Sequence, residues 1–358
     1  MMKDSIADSM FSQYHHVCVE SIVCTLPDEV LSTAELEKYL APVYRRLKLP
    51  EGRLELLTGI RERRLWPSGT LPGDQSVKTC QKLLQTSGIA PVRIGAFLHG
   101  SVCRDYLEPA TACGVHRRLG LPNECAIFDI SNACLGIATG MVQIANMIEL
   151  GQIEAGIVVG TESSRSLTEA TVRFLNADTT LDRKGIKRAF ASLTIGSGSA
   201  AVLLTHRNIS QTGRRLVGGV ALSNTVFSDL CRSDTDQGGG DSMNPLMWTD
   251  SETLMVEGVN LAQVTFERFL EATGWTRDSI TQFVTHQVGK AHQQLLFEKL
   301  GLSAEKHYST LEFLGNTGSA AMPTAAALAI EAGRIQPGDR FALLGIGSGI
   351  NTLMLAVE

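Results

Sequence analysis

The sequence lacks a basic excess, a long unbroken apolar run and a paired-cysteine motif, and each absence removes a class of function. With 32 Lys and Arg against 37 Asp and Glu, the formal net charge is −5, the wrong sign for a chain whose main partner is nucleic acid. The opening residues Met1-Met2-Lys3-Asp4-Ser5-Ile6-Ala7-Asp8 hold no signal-peptide apolar core, so the expected compartment is the cytoplasm. Eight cysteines (18, 24, 80, 103, 113, 125, 134 and 231) make no C-x-x-C pair and no His/Cys group at zinc spacing. No metal is therefore expected, and in a reducing compartment most of these residues are buried thiols. Charge is missing altogether from 130–148, but Ser131, Asn132, Gln143 and Asn146 interrupt that stretch. It reads as the central helix of a soluble core, not as a membrane span.

What is present is an alternation of strand and helix signals, in a chain of 358 residues long enough for two domains or one duplicated fold. Residues 17–25 read as a first strand, and Ser32-Thr33-Ala34-Glu35 as a capping box opening a helix towards Arg46. The charge run after Gly59 (Arg61-Glu62-Arg63-Arg64) admits two readings, a solvated face or a contact for a phosphate-bearing carrier. From residue 93 the pattern repeats. The first copy has a strand at 96–99, a helix ending at Leu119-Gly120-Leu121, a strand at 126–130, a helix opened by Cys134, and a closing strand at 156–160. The second has a strand at 282–286, a helix ending at Leu300-Gly301-Leu302, a helix opened by Asn316, and a closing strand at 341–345. Cys134 precedes Gly151 by the same 17 positions that separate Asn316 from Gly333. Two similar α/β halves follow, 1–241 and 242–358, the first carrying an insertion near 165–241 with strand signals at 200–204 and 216–220 and a mobile loop at 234–241. A pseudo-two-fold axis between the halves brings the two helix starts together.

Those helix starts carry the chemistry. Cys134, between an apolar strand and a long helix, meets unpaired N–H groups and the positive end of the helix dipole, which favour the thiolate and predict a lowered pKa. His286 ends a strand in Val284-Thr285-His286-Gln287, at a sheet edge. Asn316, in Gly315-Asn316-Thr317-Gly318-Ser319-Ala320-Ala321-Met322-Pro323, offers an amide to a developing enolate. Gly345-Ile346-Gly347-Ser348-Gly349-Ile350 is followed by too few residues for the helix that a dinucleotide loop requires. It reads as a tight turn presenting a backbone N–H, which with that of Cys134 makes an oxyanion hole.

Ser131-Asn132-Ala133-Cys134-Leu135-Gly136, Thr285-His286-Gln287-Val288, the Asn316 motif and the terminal glycine motif resemble the thiolase superfamily, in its ketoacyl-acyl-carrier-protein synthase III branch. The resemblance implies a five-layered αβαβα thiolase fold, a homodimer, and a catalytic set falling on Cys134, His286 and Asn316, with the oxyanion hole on the backbone N–H groups of Cys134 and Ser348. Within the branch, 101–110 and the Gly318 insertion after Asn316 are most similar to the OleA family, which joins two fatty acyl-CoA molecules head to head. That family draws its base from a glutamate across the dimer interface, which the Leu107-Glu108-Pro109 match puts at Glu108. Glu108 has a second reading as an acidic helix-start residue ahead of a helix 109–119. Where the fatty-acid-initiating synthases carry Trp and Arg at the mouth of the site and His-Gln-Ala-Asn within it, this chain has Arg53, Leu57 and His286-Gln287-Val288-Gly289. The expected activity is a non-decarboxylative Claisen condensation of acyl-CoA through an acyl-cysteine, with acyl-CoA as substrate and no cofactor. The alternatives are a decarboxylating synthase using malonyl thioesters, from CoA or acyl carrier protein, and acyl transfer to another nucleophile.

Overall fold

A computed structural model describes residues 10–233 and 246–358, so the loop expected at 234–241 lies outside the described residues. Strands β1 (Met10–Gln13) and β2 (Val17–Thr25) lead into β3 (Glu29–Ser32), helices α1 (Thr33–Tyr39), α2 (Ala41–Leu47) and α3 (Arg53–Thr58), and β4 (Glu62–Leu65). The capping box forms, Ser32 Oγ accepting the Glu35 N–H and the Glu35 carboxylate accepting the Ser32 N–H. The helix it opens does not run to Arg46. Pro42 has no N–H to donate and fits only a first turn, so the chain stops at Leu40 and restarts as α2. The charge run is divided: Arg61 is exposed, whereas 62–65 is a strand paired with β3, and Arg63 is 1% exposed.

The first half continues through α4 (Pro72–Ser87), β5 (Ile94–Gly100), α5 (Thr111–Leu119), β6 (Ala126–Ile130), α6 (Gly136–Glu149), β7 (Ala155–Glu162), α7 (Arg165–Ala177), α8 (Arg183–Ala189) and β8 (Gly198–His206). The chain then runs through β9 (Leu216–Ser223), the paired β10 (Cys231–Ser233) and β11 (Met247–Thr249), α9 (Ser251–Thr273), β12 (Gln282–Thr285), α10 (Lys290–Leu300), α11 (Leu311–Leu314), α12 (Ala321–Glu331), β13 (Phe341–Gly347) and β14 (Asn351–Val357). Two five-stranded sheets result, in the orders β2-β8-β7-β5-β6 and β1-β9-β14-β13-β12. Their senses correspond. In the first, β6, β5 and β7 run parallel and β8 and β2 alternate; in the second, β12 and β13 run parallel and β14, β9 and β1 alternate. An isolated parallel bridge, Phe283 to His307, stands where β6 stands in the first sheet. The strand signals at 200–204 and 216–220 fall in β8 and β9, so 165–241 contributes to both sheets.

The order of layers is α4 and α5, first sheet, α6 and α12, second sheet, α9 and α10. Adjacent strand residues point to opposite faces, and both faces are covered. Leu98, Val158, Val202, Leu343 and Leu355 join the central core with Ile137, Met141 and Ala326. Phe97, Ile157 and Leu203 pack outward beneath α4 and α5, and Ala342, Leu344 and Met354 beneath α9 and α10. This explains why the strands read as continuous apolar runs. The same burial explains the uncharged stretch 130–148, which supplies α6; among the described residues no helix is long and apolar enough to cross a membrane. Gly151 and Gly333, at φ +71° and +68°, end the two central helices in the same left-handed conformation.

Candidate active site

Between β6 and α6 the chain turns sharply. Ala133 has φ +42°, a conformation a residue with a Cβ rarely adopts, and it opens a short 3-10 turn, Ala133–Leu135, that carries Cys134 ahead of α6. Beneath this elbow a Cβ on Gly136 would lie 2.7 Å from the carbonyl carbon of Gly100, so only two glycines permit that approach of β5 and the helix start. Leu135 drives into β13, where Cβ atoms on Gly345 and Gly347 would come within 2.5 and 3.0 Å of its side chain. The glycines of the terminal motif thus make room for the residue next to the nucleophile candidate. The Cβ position of Gly347 is 3.8 Å from the Cys134 nitrogen, which brings the turn holding Ser348 up to the elbow. An asparagine pair not foreseen from the sequence latches the two: Asn351 Nδ2 donates to Asn132 Oδ1 (3.2 Å) and Ser348 O (3.4 Å), and Asn132 Nδ2 donates to Thr139 (2.9 Å).

Asn316 is fixed by backbone. Its N–H donates to Thr194 O (2.9 Å) and its carbonyl accepts from the Gly196 N–H (2.8 Å). Its side-chain oxygen accepts the Gly318 N–H (3.0 Å), so the NH2 is the end left to donate. The following 3-10 turn, Gly318–Ala320, packs against the Cys134 turn, and the Cys134 turn packs against β13. The two helix starts therefore meet. His286 lies one residue beyond β12, its N–H bonded to Leu344 O (3.0 Å), one residue from the glycine that receives Leu135. It is 3% exposed, and neither ring nitrogen has a hydrogen-bond partner among the described residues. A buried imidazole so arranged is costly unless a ligand completes it.

The electrostatics reverse one expectation. Burial, with contributions from the Glu162 carboxylate and from Cys231, pushes the Cys134 thiol up to about 12, against a stabilising contact from its own N–H. The helix-start effect predicted a lowered value, but a single 3-10 turn does not hold a thiolate against desolvation and a nearby carboxylate. Burial, and then His292, lower His286 to about 3. At neutral pH the resting pair is an uncharged thiol and an uncharged imidazole.

Glu108 is exposed on the irregular loop 101–110, with Val102, Tyr106 and Leu107 exposed beside it. The helix expected at 109–119 starts at Thr111, and its first amides are capped by Asp129, whose carboxylate accepts the Thr111 N–H (2.8 Å) and the Ala112 N–H (2.9 Å). The helix-start role considered for Glu108 thus belongs to Asp129.

A duplicated αβαβα chain whose central helices start against one another, one of them on a cysteine, defines the class: a condensing acyltransferase of the thiolase fold. The thiolase N-terminal domain model matches residues 72–211, and the C-terminal model of 3-oxoacyl-[acyl-carrier-protein] synthase III matches residues 270–358. The chain is 40% identical to the acyl-CoA:acyl-CoA alkyltransferase of Shewanella oneidensis over 349 residues, 97% of this chain and 99% of that protein. It is 34% identical to the enzyme of the same name from Xanthomonas campestris, over 96% of this chain and 99% of that one. A crystal structure of Xanthomonas campestris OleA superposes with a TM-score of 0.90 at 33% identity, covering 96% of this chain and 99% of the other. The chain belongs to the acyl-CoA:acyl-CoA alkyltransferase family.

Proposed function

We propose that the protein condenses two fatty acyl-CoA molecules head to head, without decarboxylation, to a 2-alkyl-3-ketoacyl product through an acyl-cysteine on Cys134. The observation that carries this is the junction of the two helix starts, with the Asn316 NH2 left to donate and the nearby His286 ring without a hydrogen-bond partner among the described residues. Because Cys134 keeps its proton at neutral pH, its attack on the first thioester needs an acceptor, and a ring nitrogen of uncharged His286 takes the proton. The oxyanion lies against the backbone N–H groups of Cys134 and Ser348, and CoA leaves as the thiol with the proton His286 returns. The second acyl thioester then loses a Cα proton to Glu108, and Asn316 with His286 holds the enolate oxygen. Its Cα attacks the acyl carbonyl on Cys134, and collapse of the tetrahedral intermediate expels the sulfur and leaves the ketoacyl-CoA, the sulfur regaining a proton as Glu108 gives up the one it removed.

Removing that proton is the step that separates this reaction from a decarboxylating one, in which loss of CO2 creates the enolate without a base. Support for Glu108 as the base comes from its release from helix capping and from its place on an exposed, partly apolar loop suited to a second copy's site. The protein would then act as a homodimer. The test is product analysis by mass spectrometry after incubation with one acyl-CoA, with and without malonyl-CoA. A product containing both acyl chains is expected from acyl-CoA alone. A product that requires malonyl-CoA and carries its two retained carbons would overturn the proposal in favour of the decarboxylating alternative.

A further inference from the structure

The two N–H groups assigned to the oxyanion come from distant parts of the chain, Cys134 from the turn before α6 and Ser348 from the turn between β13 and β14. Among the described residues no backbone hydrogen bond joins these turns. The Ser348 turn is tied by backbone on its other side, where Ile350 N–H donates to Asn224 O (3.1 Å) and Asn224 N–H donates to Ile350 O (2.8 Å). Towards Cys134 it meets the apolar side chain of Leu135 and one polar tie, from Asn351 Nδ2 to Asn132 Oδ1 at 3.2 Å. Each asparagine is anchored in its own turn. Asn351 Nδ2 also reaches Ser348 O at 3.4 Å, and a Cβ on Gly349 would lie 2.8 Å from that nitrogen, so a glycine leaves it room. Asn132 O accepts the Leu135 N–H at 2.8 Å, and its Nδ2 donates to Thr139 Oγ1, on α6, at 2.9 Å.

An oxyanion hole works only if both donors converge on one oxygen at hydrogen-bond distance. Apolar packing of Leu135 brings the turns together but has no direction, whereas a hydrogen bond fixes both separation and angle. We propose that Asn132 and Asn351 are positioning residues that set the Ser348 N–H against the Cys134 N–H and so size the oxyanion hole. They act through the two turns and not on the substrate. The inference rests on the reading of Cys134 as the acylated nucleophile and of these N–H groups as its oxyanion donors. The tie also has a polarity. Asn351 must donate, since both of its partners are oxygens. Asn132 need only present an oxygen to Asn351, because the Thr139 hydroxyl can donate as well as accept.

The test measures the rate of Cys134 acylation by acyl-CoA, and its dependence on acyl-CoA concentration, in Asn132→Ala, Asn351→Ala, the double alanine variant, Asn132→Asp and Asn351→Asp. Each alanine change should slow acylation at saturating acyl-CoA roughly 10-fold, less than the loss of a whole oxyanion-hole donor. The half-saturating concentration should hardly move, because the oxyanion exists only after attack. Both changes break one tie, so the double variant should be no slower than the slower single variant. The two aspartates add the same charge near the nucleophile, and the difference between them isolates the polarity. Asn351→Asp sets oxygen against oxygen and should acylate roughly 10-fold more slowly than Asn132→Asp, which keeps the acceptor. Should an aspartate variant fail to fold, the alanine cycle decides alone. Multiplying losses in the double alanine variant, equal rates for the two aspartates, or a loss seen only in the half-saturating concentration overturns the positioning role. Wild-type protein that forms no acyl-Cys134, read by intact mass before any variant is compared, would instead remove the reading on which the inference rests.

Discussion

At Cys134 the start of a helix and a buried carboxylate pull the thiol in opposite directions, and burial decides the contest. With the value raised to about 12, the thiolate fraction climbs with pH throughout the range above neutrality. Alkylation of Cys134 by iodoacetamide should therefore be slow at pH 7 and keep rising past pH 9, whereas a cysteine activated by its helix would already be at its plateau. A plateau near neutrality, mapped to Cys134 by peptide mass spectrometry, would contradict the uncharged resting pair. His286→Ala should slow acylation by acyl-CoA, and Cys134→Ser should leave no acyl thioester at all. Cys134, His286 and Asn316 were legible because each sits in a motif at a helix start or a strand end. Glu162 was not. A carboxylate closing a strand carries no local signature, and its partner Ser319 is 157 positions away. The raised thiol was equally hidden, since the pattern of a helix start says nothing of how far its thiol is desolvated or which charges lie near it.

Elements are held to one another at this site by absent side chains. A Cβ on Gly140 would come 2.5 Å from Val158 Cγ2, a side chain with some room to shift, whereas one on Gly136 meets the Gly100 backbone. Gly140→Ala should lower stability by about 1–3 kcal/mol from overpacking, softened by the better helix propensity of alanine. Gly136→Ala should displace the elbow as well and lose acylation. Urea unfolding with an acylation assay separates the two, and wild-type acylation by Gly136→Ala would show that the close approach is dispensable. The second half holds three histidines lowered by burial, His286 to about 3 and His292 and His307 to about 4. Their folded values lie below the unfolded value near 6.5, so between about pH 4 and 6.5 the unfolded chain binds more protons. The stability they confer is complete above pH 6.5 and is lost as pH falls through that window. Tm measured from pH 8 to 4 should decline below about 6.5, and a flat profile would show that these rings are not buried uncharged. Helices were read well except at their starts. Pro42 restarts one, and Asp129, a side chain from a neighbouring strand, fixes another at Thr111, neither of which hydrophobic periodicity reports.

For the whole molecule, the duplication was visible in sequence because turn glycines must follow each central helix at the same distance. The sheet order was not, because pairing of β9 with β14 and β1 depends on contacts far apart in the chain. The edge strand of the second half had also shrunk to one bridge at His307, with no run of residues to signal it. In the proposed reaction the base is Glu108, which is exposed on its loop. If a second copy supplies it, its loss can be repaired in trans. A chain with Cys134→Ala has no nucleophile but an intact Glu108, and a chain with Glu108→Gln has the reverse, so each alone should be inactive in condensation. In a mixed two-fold dimer the nucleophile of the Glu108→Gln chain meets the intact glutamate of its partner, which restores one complete site, while the other site lacks both groups. Co-expression with free exchange makes about half of the dimers mixed, so the preparation should recover roughly one quarter of the wild-type condensation rate. Acylation in the same preparation should appear only on the chain that keeps Cys134. If the mixture stays as inactive in condensation as its parents while mixed dimers are demonstrably present, Glu108 does not act across an interface between copies, and its loop must reach the site of its own chain or play no part in proton removal.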